Sequence, residues 1–110
     1  MKVKNLTKGE ILIYDQGELK QTYEACSTPV EGKVTLVSKA SEIFDGEFNI
    51  PLVEEVYSAP GMPEPEADTI FIVDNFTFKA LKASRKDIIT PAKMYRSYGG
   101  QILGVISFIN

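Results

Sequence analysis

The chain contains no histidine. That absence removes Ser-His-Asp and Cys-His hydrolases, nearly all catalytic zinc sites and the usual general base at neutral pH. Cysteine is nearly absent too. The lone Cys26 has no internal disulfide partner, and an intracellular, reducing setting follows as the expectation. With no imidazole to activate it, Cys26 reads as a small hydrophobe rather than a nucleophile. No apolar run approaches the ~18 residues of a membrane-spanning helix. The N-terminus MKVKNLTKGE lacks the apolar core of a secretory signal. Phosphate-cradling signatures of the GxxxxGK[ST] and GxGxxG kinds are missing as well.

What remains is ordinary for a globular protein. The chain has 110 residues, 44% apolar and 25% charged, with a formal net charge of −3. This length predicts a single domain over residues 1–110 that folds without metal or disulfide staples. The acidic balance argues against general nucleic-acid binding.

Patterning predicts a small α+β domain, mostly antiparallel β-sheet with one or two short helices. Strands are expected at Val3–Thr7, Glu10–Tyr14 and Leu19–Tyr23, the last two joined through Asp15-Gln16-Gly17. Cys26–Pro29 reads as a loop and Val34–Ser38 as an alternating strand. Lys39–Gly46 permits a helical turn or a loop. Leu52–Tyr57 reads as a strand with Pro51 at its start. Ala59–Asp68 (APGMPEPEAD) is a solvated, proline-rich connector. Thr69–Val73 is a buried strand.

Asp74 or Asn75 caps a short helix over Asn75–Ala83. Phe76 and Phe78 cannot share the centre of its apolar face, so one of them packs on a second layer or another subunit. Ile88-Ile89 begins an extended segment that Thr90-Pro91 stops. Met94–Tyr98 and Gln101–Ile109 form a hairpin about a type I′ turn at Gly99-Gly100. In that register Tyr98 faces Gln101, Arg96 faces Leu103 and Met94 faces Val105. The last strand is apolar on both faces, which places it centrally in a sheet or beneath a subunit interface.

Chemistry concentrates in one stretch. Lys79, Lys82, Arg85, Lys86, Lys93 and Arg96 supply six of the twelve cations. The ligand-binding residues expected from this cluster are Arg85, Lys86, Tyr95, Arg96, Tyr98, Gly99 and Gly100. Arginine forks match phosphate or carboxylate, tyrosine stacks on a base or sugar, and glycines open backbone N–H groups to a ligand. Solvated cations at a helix end and a turn account for the same pattern. Glu64, Glu66 and Asp68 lack the spacing of a calcium loop. No catalytic residue, cofactor or metal site is expected.

Short pieces spread along the chain carry a resemblance: Asn5-Leu6-Thr7, Ile11–Asp15, Gly17, Pro63–Pro65, Thr69–Val73, Arg85, Asp87, Pro91, Arg96, Gly100, Ile102 and Gly104. In these the chain resembles a group of small phage and prophage proteins. It departs from them at Lys8-Gly9, where relatives often carry Pro-His, and at Val105, where they tend to carry Cys. The resemblance implies an accessory protein acting in the cytoplasm of the bacterial host. Small phage proteins of this type include anti-defence factors, some of which sequester nucleotide signals of host immunity.

The leading expectation is therefore a non-enzymatic, homo-oligomeric protein, cytoplasmic and without membrane contact, that holds a small anionic, nucleotide-like ligand. The alternative is a structural or protein-interaction module, such as a virion accessory piece or an inhibitor of a host protein. Its contact would be made by the C-terminal strand and the proline loop. An enzyme working through carboxylates or lysine with a divalent metal ranks third.

Overall fold

A computed structural model describes residues 1–39, 43–44 and 46–110. The elements run β1 (Lys2–Asn5), β2 (Ile11–Asp15), β3 (Glu18–Tyr23), β4 (Lys33–Ser38), β5 (Ile43–Phe44), β6 (Asn49–Ile50) and β7 (Val53–Ser58). They continue with β8 (Thr69–Ile72), α1 (Asn75–Leu81), β9 (Ile88–Arg96) and β10 (Ile102–Ile109).

Six strands form one sheet in the order β1-β8-β9-β10-β2-β3. It curls until its two edges nearly meet, and a side chain makes the join. Asn5 Nδ2, on β1, donates to the carbonyls of Gly9 at 2.9 Å and Glu24 at 3.0 Å, beside the end of β3. Its Oδ1 accepts from the backbone N–H of Thr7 at 2.9 Å and from the Thr7 hydroxyl at 2.7 Å. The Asn5-Leu6-Thr7 motif thus acts as a seam between the two edges.

Antiparallel ladders dominate by length, but β1–β8, β8–β9 and β10–β2 are parallel. The parallel neighbours on both sides of β8 explain why it is so apolar. Phe71 and Ile72 are 1% and 0% exposed. Phe71, Val73, Phe78 and Ile88 make the core, with Leu6, Met62 and Leu81 packed against it.

Helix α1 starts where Asp74 caps it, accepting the Thr77 N–H at 2.7 Å. Asp74 therefore fills the cap position, and the helix ends two residues earlier than expected. Phe78 faces the core. Phe76 turns outward against Tyr57, with ring centroids 5.9 Å apart.

The Gln16-Gly17 turn joins β2 to β3 as expected, with both residues at positive φ. Two other expectations are corrected. The Gly99-Gly100 hairpin does not close through a type I′ turn. Ser97 O accepts from Gly100 N–H at 2.9 Å and Ser97 N–H donates to Gln101 O at 2.9 Å; Gly100 is at positive φ but Gly99 is not. This is a three-residue loop with a glycine bulge. The bulge shifts the register, so Arg96 pairs with Ile102 rather than Leu103, while Met94 still pairs with Val105.

Thr90-Pro91 does not stop its strand either. β9 runs on to Arg96 with Pro91 opposite Phe108. The proline lies beyond the last β8 pairing, beside a register shift between Ser107 and Phe108. Irregular pairing of that kind tolerates a missing N–H. The Lys39–Gly46 segment falls in part outside the described residues; within it Ile43-Phe44 pairs with Asn49-Ile50.

Candidate functional site: an exposed apolar arm

Between β3 and β8 the chain leaves the sheet as a two-stranded ribbon. β4 and β7 pair antiparallel from Lys33↔Ser58 to Ser38↔Val53, and Lys39 N–H extends the ladder to Leu52 O at 2.8 Å. Alternation places Val34, Leu36, Val53 and Tyr57 on one face, and Val37 and Val56 on the other. Both faces are open to solvent. Leu36 is 65% exposed, Phe44 67% and Phe48 58%.

The arm lengthens the molecule. The radius of gyration is 18.1 Å, against about 13 Å for a compact chain of this length. An isolated two-stranded ribbon is marginal in water, and this one also carries apolar side chains on both faces.

The base of the arm is held firmly. Gly32, which leads into β4, donates its N–H to Asp74 Oδ2 at 3.0 Å. A Cβ at Gly32 would lie 2.1 Å from the Thr77 backbone nitrogen, so only glycine fits against the first turn of α1. Val30 just before it is buried, and its N–H reaches Leu6 O at 2.9 Å. Tyr57 rests on Phe76, and the Lys79 ammonium sits 5.1 Å from the Tyr57 ring centroid. Asp74 therefore serves both as the helix cap and as the anchor of the arm.

The seven expected ligand residues fall into two groups at opposite ends of β9, separated by about 25 Å at 3.3 Å per residue. Arg85 and Lys86 precede the strand. Arg85 forks onto Asp87, with Nε–Oδ1 at 2.9 Å and Nη2–Oδ2 at 2.6 Å, and its Nη1 donates to Pro63 O at 2.6 Å. The guanidinium is occupied in tying down the proline loop. Its hydrogen bond holds the Asp87 carboxyl below the ordinary carboxylate range, and Asp87 in turn raises the Arg85 pKa. Lys86 is exposed, and its carbonyl accepts from Asn110 Nδ2 at 3.2 Å.

Tyr95, Arg96, Tyr98, Gly99 and Gly100 gather at the other end. Tyr95 stacks on Tyr14, with centroids 4.7 Å apart. Arg96 is exposed and donates to Gly100 O at 2.9 Å. Tyr98 stands fully in solvent at the loop tip, beside the exposed Gly99 and Gly100.

The last strand is central in the sheet, between β9 and β2, yet Ile102, Leu103, Ile106 and Ile109 remain exposed. An open cavity of about 300 Å³ lies beside it, lined by Ile11, Leu12, Met94, Ile102 and Leu103, with Glu10 the acid of the lining. Gly104 lets β2 pass closely: a Cβ there would lie 2.5 Å from Leu12 O and from the Tyr14 ring. The arm and this cavity are the features that residue-by-residue reading missed. The signal for the arm was the pair of alternating strands flanking Phe44 and Phe48.

Among the described residues, no three His, Cys, Asp or Glu side chains lie close enough to hold a metal ion. None of the described helices is long and apolar enough to cross a membrane. Comparison with protein-family models, with curated proteins and with solved structures returned no match, so the functional reading rests on geometry.

Proposed function

We propose that the protein is a non-enzymatic structural or protein-interaction module whose principal contact is the β4–β7 arm. The setting that the resemblance implies is that of a phage-type accessory protein in a bacterial cytoplasm. The observation that carries the reading is the arm itself: apolar on both faces, tied to α1 at its base through Gly32 and Tyr57, and exposed over most of its described length. A ribbon that gains little by folding alone gains a great deal when a partner covers it.

Leu36→Asp combined with Val53→Asp tests this. The double variant is expected to keep the thermal stability of the closed sheet and to lose association. A large fall in the stability of the monomeric chain would show the arm packed within its own molecule and would overturn the reading.

A second reading keeps a small nucleotide-like anion at the β9–β10 loop, where Arg96, Tyr98, Gly99 and Gly100 sit together in solvent. It ranks second because the Arg85 guanidinium is already taken by Asp87 and Pro63.

A further inference from the structure

Resting on the interaction reading, we infer that the partner of the arm is a second copy of this chain, whose outer β10 face and adjoining cavity receive it. Three observations converge on that occupant.

The first is area. The accessible surface is 7766 Å²; a compact monomer of this mass exposes on the order of 6,100 Å². The surplus, about 1,700 Å², is comparable with the roughly 1,000–2,500 Å² that each subunit of an obligate oligomer buries.

The second is apolar fit. The chain carries both halves of a contact. The arm projects Leu36, Phe44 and Phe48, while β10 presents Ile102, Leu103 and Ile106 beside the open cavity. The arm meets its own body at α1, through Tyr57 and Phe76.

The third is charge. Across residues 33–58 the arm holds five acids, Glu42, Asp45, Glu47, Glu54 and Glu55, against two lysines, Lys33 and Lys39. Of the six cations in residues 79–96, Lys79 sits on the arm's own Tyr57 and Arg85 is paired with Asp87, which leaves Arg96 at the cavity end of β9. Arg96 is exposed on the same face of β9 as the cavity-lining Met94, while the exposed Lys93 alternates to the other face. An arm of net negative charge thus meets an apolar face with Arg96 at its rim; Glu10 on the cavity is the like charge the arm must avoid. Such complementarity favours the intended partner over others. With one arm and one face per chain, reciprocal exchange closes a dimer and head-to-tail docking closes a ring.

Mixing two disabled chains tests the inference. Leu36→Asp with Phe44→Asp disables the arm. Ile102→Asp with Ile106→Asp disables the receiving face at exposed positions. Light scattering on a sizing column should find the wild type oligomeric. Each variant alone should associate at least about tenfold more weakly, and the two mixed should recover association through the one intact contact. Variants that, each alone, assemble as well as the wild type overturn the inference. So does a monomeric wild type, and limited proteolysis then separates the two readings. A monomer cut within the arm overturns self-docking alone and leaves the interaction module standing. A monomer with an uncut arm overturns both.

Discussion

Strands β8 and β4 are built from similar material and meet opposite fates. TIFI and KVTLVS are both rich in β-branched residues with apolar side chains among them, yet β8 is almost wholly buried while every residue of β4 is exposed. The difference lies in neighbours. β8 has a strand on each side and α1 following it, so its apolar groups leave water from every direction. β4 has β7 alone. Apolar content therefore marks surfaces that must be covered, without saying whether the cover comes from the same chain.

Substitutions sharpen that contrast, and the largest effect belongs to the body. Phe71→Ala should cost about 3–5 kcal/mol, the usual toll for emptying a fully buried aromatic site. Leu36→Ala should change the stability of the monomeric chain by under about 0.5 kcal/mol. Urea unfolding of dilute protein measures both, and equal losses would erase the distinction between body and arm.

Next in size is the Arg85–Asp87 pair, mostly buried at 14% and 20% side-chain exposure. Asp87→Asn should cost about 2 kcal/mol at neutral pH, since charged hydrogen bonds of this kind are worth about 1.5–3. Because the folded-state pKa of Asp87 is lowered, its contribution is complete above the unfolded value, about 4. It is lost as the pH falls through the lowered folded value. The wild type should therefore lose more stability than Asp87→Asn between neutrality and that acid range. Parallel pH profiles would rule out this role for the pair.

The smallest effect is expected at Thr77, fully buried with its hydroxyl unpartnered. Thr77→Val removes that orphan and keeps the shape, so thermal unfolding should be unchanged or raised by up to about 1 kcal/mol. A clear loss would mean that the hydroxyl has a partner in solution.

Much of the body was legible in the sequence because its signals are local. The β2–β3 hairpin follows from Gln16-Gly17, β8 from its short apolar run, and α1 from the Asp74 cap. What escaped is non-local. Nothing within Lys2–Asn5 specifies a parallel partner more than sixty residues away. The β4–β7 pairing closes only after the tip has intervened, and a single glycine bulge moved Arg96 from Leu103 to Ile102. The expected site suffered for the same reason. Arg85 and Arg96 are close in sequence, but a strand that does not stop at Pro91 carries them to opposite ends of β9. The Arg85–Asp87 spacing, two residues apart at a strand entry, was a visible hint that this arginine was already engaged.

Hydrogen exchange of the β4 and β7 amides, followed across a dilution series of the wild-type protein, bears most directly on the arm. The account predicts strong protection in the assembled protein and its loss as the oligomer dissociates, while the β8 amides stay protected throughout. Protection of the arm that is independent of concentration would contradict it, because the ribbon would then be covered by its own chain.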